Sequence, residues 1–171
     1  MCGWCVRITV TKLTDKSLVD RACSFTAGSS IEVKSMYKMY MSEHSPIRTQ
    51  MFWIEMEDIP TFVSVHLVRH KIGVEHFVKS NRVDRGGEEN CFRETPVAHA
   101  MLINAQALVN MARKRLCTQA SLETRMVVQE IKAKLYEVDP DLARCLVPEC
   151  DYRGGYCYEF KIGRASCRER V

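Results

Sequence analysis

Two stretches of alternating hydrophobic and polar residues predict β-strands. In the first, Val6–Val10, the branched apolar residues alternate with Arg and Thr, which is typical of a strand with one buried face. In the second, Gln50–Glu57, the same period of two places Phe52, Ile54 and Met56 on one side. Both strands are therefore expected to contribute one face to a hydrophobic core.

Helical spacing follows each of these strands. Asp15 is placed to cap a short helix, and Ser30 a second one that ends before Pro46. Asp58-Ile-Pro60 combines a capping residue with a proline in the first turn. This predicts a third helix that runs to about Ile72.

The second half of the chain is predicted to be mostly helical. Val74–Arg93 is polar and irregular and predicts a long loop. Thr95-Pro96 predicts the beginning of the longest helix, which ends near Leu116. Ser121–Val138 predicts another helix, and Asp139–Pro148 a short helical turn. Together the elements indicate an α+β fold, in which a small mixed or antiparallel sheet packs with long helices.

Composition narrows the class of protein. The chain has 171 residues, of which 46% are hydrophobic and 27% charged, so we expect one folded domain. Its formal net charge of +4 is too small to indicate nucleic acid as a partner. No run approaches the ~18 apolar residues of a membrane span, and we expect no signal peptide before the first strand. A cytoplasmic protein without a membrane partner is expected.

The last ten residues differ from the rest. Residues 162–171, IGRASCRERV, match the in-frame translation of a common sequencing adapter, and we expect them to be an artefact. The domain is then 1–161, with a net charge of +2. An adapter at the end of the sequence also implies that the source is an environmental or phage sequencing assembly.

Eight cysteines lie outside that tail. Cys2-Gly-Trp-Cys5 has the spacing of a redox or zinc motif, but the strand that follows does not fit a thioredoxin-type site, which requires a helix. Cys150 and Cys157 would complete a zinc site only with unusually wide spacing. We therefore expect free thiols and no metal site, with zinc as the alternative.

Candidate chemistry lies first on the predicted helix that begins at Pro60. His66, Arg69 and His70 are spaced to share one face, and Lys71 adds another cation. Such a face suits an anionic ligand, for example a nucleotide or flavin phosphate, although a solvated surface would have the same pattern.

A second cluster lies on the helix predicted around residues 104–115. Asn104 and Asn110 carry amides that can read the edge of a heterocycle, and Arg113, Lys114 and Arg115 can bind phosphate. A basic, solvated helix turn is the alternative.

These motifs resemble those of the flavin-dependent thymidylate synthases, the ThyX family. The family's Arg-His-Arg motif followed by Ser-x-Arg is similar to Arg69-His70-Lys71 and Ser80-Asn81-Arg82. Its Asn-rich helix is similar to Asn104–Asn110 with Arg115, and its next motif to Ala120–Arg125. The resemblance covers roughly residues 1–82 and 100–148.

The resemblance implies an enzyme that methylates dUMP to dTMP. Methylenetetrahydrofolate would supply the carbon, FAD reduced by NADPH would supply the hydride, and the protein would be a homotetramer. A non-catalytic relative that binds a nucleotide or flavin, or serves in an interaction, is the alternative.

The resemblance also assigns roles to residues of this chain. Arg115, Ser80 and Arg82 would be the catalytic and dUMP-binding residues. The region between the two motifs is short and lacks the family's dUMP-binding arginine, for which His99 is the nearest substitute. FAD would contact six residues, namely His66, Arg69, His70, Lys71, Asn104 and Asn110.

Overall fold

The structure is a computed structural model, and it describes residues 6–80, 84, 87 and 92–157. The predicted artefact at 162–171 lies outside the described residues. The elements, in chain order, are β1 (Arg7–Lys12), α1 (Lys16–Ala27), α2 (Met36–Ser42), a 3₁₀ helix (Ser45–Thr49), β2 (Met51–Pro60), α3 (Thr61–Val68), β3 (Val74–Val78), β4 (Pro96–Asn104), α4 (Ala105–Arg115), α5 (Leu122–Val138), α6 (Pro140–Cys145) and α7 (Glu149–Tyr152).

The four described strands form one antiparallel sheet in the order β1-β2-β4-β3. The predicted α+β class is confirmed, and the sheet is antiparallel rather than mixed. The register of β2 and β4 places Phe52 opposite Ile103 and Ile54 opposite Met101, and all four side chains are fully buried. This face of the sheet and the helices that cover it form the hydrophobic core.

The predictions for residues 74–78 and 96–104 were wrong. Val74–Val78 is a strand rather than part of a loop, and Pro96–Asn104 is a strand rather than the beginning of the longest helix. Pro96 is the first residue of its strand, a position at which a missing N–H is tolerated. Pairing of β4 with strands on both sides determines the conformation of this segment, and the helix begins only at Ala105.

Two predicted helix beginnings were also wrong. The cap of α2 is Ser35 rather than Ser30, and its hydroxyl accepts a hydrogen bond from the backbone N–H of Lys38. Asp58 does not cap α3, because β2 continues to Pro60. The predicted helix to Ile72 ends at Val68, since the chain turns there to enter β3.

Other predicted helix beginnings are confirmed. The Asp15 carboxylate accepts a hydrogen bond from the Ser17 N–H and caps α1. Ser121 caps α5, and Asp139 caps α6 by accepting from the Leu142 N–H. These caps were predictable because each depends on a local side chain.

Asp139 also connects distant parts of the chain. It is 4% exposed, and its Oδ2 accepts hydrogen bonds from Lys12 Nζ at 2.7 Å and from the Tyr40 hydroxyl at 2.8 Å. Burial and the negative charge of Asp139 raise the pKa of Tyr40, which therefore remains a donor. This carboxylate thus joins β1, α2 and α6.

The other face of the sheet carries aromatic residues. Trp53 on β2 and Phe77 on β3 lie with ring centroids 5.4 Å apart, and Phe77 is 53% exposed. The Trp53 indole N–H donates to Glu55 at 2.9 Å. Among the helices that the structure describes, none combines the length and apolar character needed to cross a membrane.

Candidate functional site

The end of α3 and the end of α4 bring the two sequence motifs together. Arg115 is the last residue of α4, and its Nε donates a hydrogen bond to His70 Nε2 at 2.9 Å. Its Nη2 donates to the backbone oxygen of His66 at 2.7 Å. A single guanidinium therefore contacts both the last turn of α3 and His70, two residues beyond the end of that helix.

The hydrogen bond from Arg115 determines the state of the His70 ring. Burial, then the positive charge of Arg115 and the neighbouring His76, lower the pKa of His70 to about 4. Because Nε2 accepts from Arg115, the neutral ring carries its proton on Nδ1. His70 can therefore donate from Nδ1 to a ligand.

Arg115 is itself in an unusual environment. Burial and the nearby positive charge of Arg69 lower its pKa, although a guanidinium remains charged at neutral pH. Arg69 and Lys71 are both exposed, so the predicted cations lie beside the Arg115–His70 contact and not within it. This end of the molecule offers cations to an anionic ligand.

His66 connects α3 with α5. Its Nδ1 lies 2.9 Å from the buried Thr124 hydroxyl, and its ring packs edge-on against Phe62. Burial, followed by the charges of Arg115 and Arg69, lowers the pKa of His66. His66 is close to the other candidates, but its described contacts hold helices together.

Asn104 lies at the opposite end of α4 from Arg115. Its side chain caps the helix by accepting from the Ala107 N–H at 2.9 Å, and its backbone N–H donates to the Gly73 oxygen at 3.0 Å. Because α4 rises about 1.5 Å per residue, Asn104 and Arg115 are separated by roughly 16 Å. Within one chain, Asn104 and Arg115 do not form a single compact site.

Asn110 is exposed and lies on a different face of α4 from Arg115. Its Oδ1 accepts from Gln106 at 3.3 Å and from Arg113 at 3.4 Å. Both of these donors also bind Glu43, which follows α2. Burial raises the pKa of Glu43, but hydrogen bonds from Arg113 and Gln106 outweigh that effect and lower it.

The sequence reasoning missed this Glu43 cluster. The spacing of Gln106, Asn110 and Arg113 on one helix face was a usable signal. Glu43, however, is 63 and 70 residues away from the two side chains that it binds. Tyr152 completes the cluster, because the Arg113 guanidinium lies 3.5 Å from the centroid of its ring.

The proposed dUMP-binding segment is described only in part. Ser80 follows β3, whereas Arg82 lies outside the described residues. His99, the suggested substitute for a dUMP-binding arginine, does not fit that role. It is 1% exposed in the middle of β4, and both of its ring nitrogens have hydrogen-bonding partners.

A cavity of about 250 Å³ adjoins Arg115. Its lining consists of Arg113, Lys114, Arg115, Cys117, Gln119, Ala120, Glu149, Cys150, Tyr156 and Cys157. Two buried donors in this lining, Gln119 Nε2 and Arg113 Nε, have no hydrogen-bond acceptor among the described residues. Unsatisfied donors beside cations favour a ligand rich in acceptors, such as a phosphate or the carbonyl edge of a ring.

That cavity is too small for a whole dinucleotide. Ligand pockets usually measure roughly 300–1,000 Å³, so this one would enclose only a ring or a phosphate group. The carbonyl and phosphate oxygens of FAD or dUMP match its donors. The residues present therefore fit part of either molecule.

The described residues do not form the alternative zinc site. Cys2 and Cys5 lie outside the described residues, and Cys150 and Cys157 line the cavity beside Arg115. Within the described ranges, no three His, Cys, Asp or Glu side chains are grouped closely enough to hold a metal ion.

Solved structures share the arrangement of these elements. ThyX from Helicobacter pylori complexed with FAD and dUMP, a flavin-dependent thymidylate synthase, gives a TM-score of 0.68 at 13% identity, over 82% of this chain and 99% of that one. Another structure of Helicobacter pylori ThyX with FAD and dUMP gives 0.65 at 14% identity, with the same coverage. This chain has the ThyX fold.

A further protein with a similar fold is the UMP/dUMP methylase PolB from Streptomyces cacaoi, bound with 5-Br dUMP. Its TM-score is 0.63 at 14% identity, over 82% of this chain and 94% of that one. No family model matches the sequence, and no curated protein matches it either. The ThyX fold is thus established by backbone geometry, in agreement with the resemblance that the motifs show.

The turn between α3 and β3 leads to a prediction about Gly73. Gly73 has φ +74°, and a Cβ there would collide with the amide of Asn104. We expect Gly73→Ala to lower the free energy of unfolding by about 2 kcal/mol, about 1 from the left-handed backbone and about 1 from the disturbed α4 cap. Urea unfolding measures the change.

Gly28→Ala is the matched control for this substitution. Gly28 has φ +67°, but nothing lies within 4 Å of a Cβ at that position. Its alanine variant should lose only about 1 kcal/mol. Equal losses at Gly28 and Gly73 would show that the contact with Asn104 has no energetic effect.

Stability should also depend on pH. Burial, with a smaller effect of His76, lowers the pKa of His99 to about 4, whereas an unfolded histidine titrates near ~6.5. Between these values the unfolded state binds more protons, so stability is complete above about pH 6.5 and falls as the pH decreases. The loss from His99 should reach about 2–3 kcal/mol by pH ~4.5. A His99→Leu variant should show a flatter profile, and an unchanged slope would contradict the prediction.

Proposed function

We propose that this protein is a flavin-dependent thymidylate synthase that methylates dUMP to dTMP. Methylenetetrahydrofolate is the proposed carbon donor, and NADPH the proposed reductant of FAD. The observation that supports this most is the contact between Arg115 and His70. It joins two motifs that lie 45 residues apart in the sequence, within a fold shared with structures that hold FAD and dUMP.

Arg115 has the properties that the reaction requires near the pyrimidine. Its charge is partly buried and its orientation is fixed by two hydrogen bonds. A positioned cation stabilises negative charge that develops on a carbonyl oxygen, because little reorganisation is needed during the reaction. In our proposal Arg115 binds the pyrimidine carbonyl, while Ser80 and Arg82 bind the rest of dUMP.

The residues around Arg115 suit a flavin nucleotide. FAD, when bound, supplies the hydride. His70 can donate from Nδ1 to an acceptor on the flavin, and the exposed cations Arg69 and Lys71 can pair with its phosphates. Gln119 Nε2 and Arg113 Nε, the unsatisfied donors of the cavity, match acceptor oxygens on the same ligand or on dUMP.

Asn104 and Asn110 support a shared site in an assembly. Each lies away from Arg115 in its own chain, at the other end or on another face of α4. We propose that their contacts with FAD are made from the helix of another protomer. This supports the proposal of a homotetramer in which several chains form each site.

The remaining proposals concern the context of the protein. We propose that residues 1–161 form a single domain and that 162–171 are a translated adapter. A cytoplasmic location, in the host if the source is a phage, follows from an enzyme of nucleotide synthesis. Nucleic acid and membranes are not among the proposed partners.

Absorbance spectroscopy tests the flavin directly. We expect purified protein titrated with FAD to bind it with a shifted flavin spectrum, and NADPH to bleach that spectrum anaerobically. Addition of dUMP and methylenetetrahydrofolate should then produce dTMP. Binding of FAD without dTMP formation would favour a non-catalytic relative that binds flavin. A protein that takes up neither FAD nor dUMP would refute both the enzyme and a ligand-binding relative, and only an interaction role would stand.

A further inference from the structure

Two histidines that the proposed reaction does not use lie behind the Arg69–Lys71 motif. His99 occupies a core position of β4 that the alternation of Val97, Met101 and Ile103 would otherwise fill with an apolar side chain. His76 lies on the neighbouring strand β3, with its Nδ1 2.9 Å from His99 Nε2. A polar ring at such a depth is costly unless every nitrogen is satisfied.

The hydrogen bonds of this pair have a single direction at neutral pH. His76 Nε2 lies 2.7 Å from the backbone oxygen of His70, which can only accept, so Nε2 carries the proton. The Nδ1 of a neutral His76 ring must then accept from His99 Nε2. His99 Nδ1 in turn accepts from the Ser64 hydroxyl at 3.0 Å. The Ser64 hydroxyl therefore donates to His99, His99 donates to His76, and His76 donates to the carbonyl of His70, which is the final acceptor.

A neutral His99 ring is consistent with its surroundings. Burial and the neighbouring His76 keep the pKa of His99 well below its usual range. The described hydrogen bonds of both rings involve only Ser64, the partner ring and the His70 carbonyl. The direction of the chain is therefore fixed by the carbonyl at one end.

The turn formed by residues 69–73 is bound to α4 at its other end, at Gly73. The Asn104 N–H donates to the Gly73 oxygen, and the His70 N–H donates to the Leu67 oxygen. Residues 69–73 thus run between α4 and the histidine pair. The His70 ring accepts a hydrogen bond from Arg115, and the His70 backbone oxygen accepts one from His76. A change in the pair would displace His70 relative to Arg115.

We infer that Ser64, His99 and His76 are positioning residues, which fix the 69–73 turn through the His70 carbonyl and so hold the His70 ring against Arg115. Ser64 and His99 are buried, and none of the three is among the proposed ligand contacts. The inference deepens the proposed function and rests on it only for its effect on FAD.

Hydrogen exchange and ring nitrogen NMR test the inference without FAD. In wild-type protein at pH 7.5, long-range proton–nitrogen spectra should show the proton of His76 and that of His99 on Nε2. His99→Leu leaves the buried Ser64 hydroxyl and His76 Nδ1 without their partner, so it should lower the melting temperature. At a temperature where the variant is still folded, it should accelerate amide exchange of His70 about fivefold, the effect of one neutral hydrogen bond.

His76 offers a matched pair of variants. The amide of His76→Gln can reach the position of Nε2 and donate to the His70 carbonyl, whereas that of His76→Asn is too short. We expect His76→Asn to accelerate exchange of the His70 amide about fivefold and His76→Gln to leave it near wild type. A proton on Nδ1 of either ring, or exchange unchanged in both His99→Leu and His76→Asn, would overturn the inference.

The flavin titration separates this inference from the proposed function. If wild-type protein binds FAD, His99→Leu and His76→Asn should weaken binding about fivefold, with His76→Gln near wild type. If wild-type protein binds no FAD, the proposed function fails while the exchange and NMR results still decide the inference. If FAD binds equally to all variants despite faster exchange, the positioning role is refuted and the proposed function stands.

Discussion

Arg115→Ala should lower the rate of dTMP formation by about 100- to 1,000-fold, the range measured when one positioned donor to a developing negative charge is removed. The substitution removes both the cation and the donor to His70 Nε2. FAD binding should also weaken, because the His70 ring loses the contact that fixes its proton on Nδ1. Steady-state kinetics and the FAD titration measure the two effects.

Arg115→Lys separates charge from geometry. Lysine keeps the cation but cannot reproduce the planar group that binds His70 and the His66 carbonyl together. Its rate should lie between those of Arg115→Ala and wild type. Lys134→Ala is a suitable control, because Lys134 is a cation on α5 that pairs only with Glu137 among its described ionic contacts. Equal activity of Arg115→Ala and wild type would refute the assignment.

Asp139→Ala should be the most destabilising of the substitutions considered. It leaves the ammonium of Lys12 and the buried Tyr40 hydroxyl without their acceptor and removes the cap of α6. Breaking a buried charged pair costs about 3–5 kcal/mol of unfolding free energy. Urea unfolding measures this loss, and circular dichroism shows whether the variant folds.

Asp139→Asn and Tyr40→Phe divide that loss into parts. Asparagine keeps an oxygen for the Leu142 N–H but no negative charge, so its loss should be smaller than that of alanine. Tyr40→Phe removes one donor and should cost about 1 kcal/mol. If Asp139→Ala were no more destabilising than Tyr40→Phe, the carboxylate would not be the centre of this contact.

Local chemistry made part of the fold predictable. Asp15, Ser121 and Asp139 cap helices through their own side chains, which any sequence window of a few residues contains. β3 and β4 were missed because their conformation depends on pairing with each other and with β2. The histidine and alanine positions of β4 weakened its alternation, and its apolar end continues directly into α4.

The candidate site divides in the same way. The proximity of His70 and Arg115 agrees with the family resemblance, since both belong to its motifs. Two contacts could not be predicted, namely that of Glu43 with Arg113 and that of His76 with His99. The partners are far apart in sequence, and each residue taken alone is typical of a surface or a core position. His99 in particular is only the nearest substitute in the sequence for a dUMP-binding arginine, and the fold buries it.

The fluorescence of Trp53 should report on the sheet face that carries Trp53 and Phe77. It is one of two tryptophans in the chain, and its ring lies beside the exposed Phe77. Covering this face removes water from the indole and should shift its fluorescence to shorter wavelength. Emission recorded over a dilution series would therefore report whether the sheet face is covered in an assembly, with Trp53→Phe identifying the contribution of this residue.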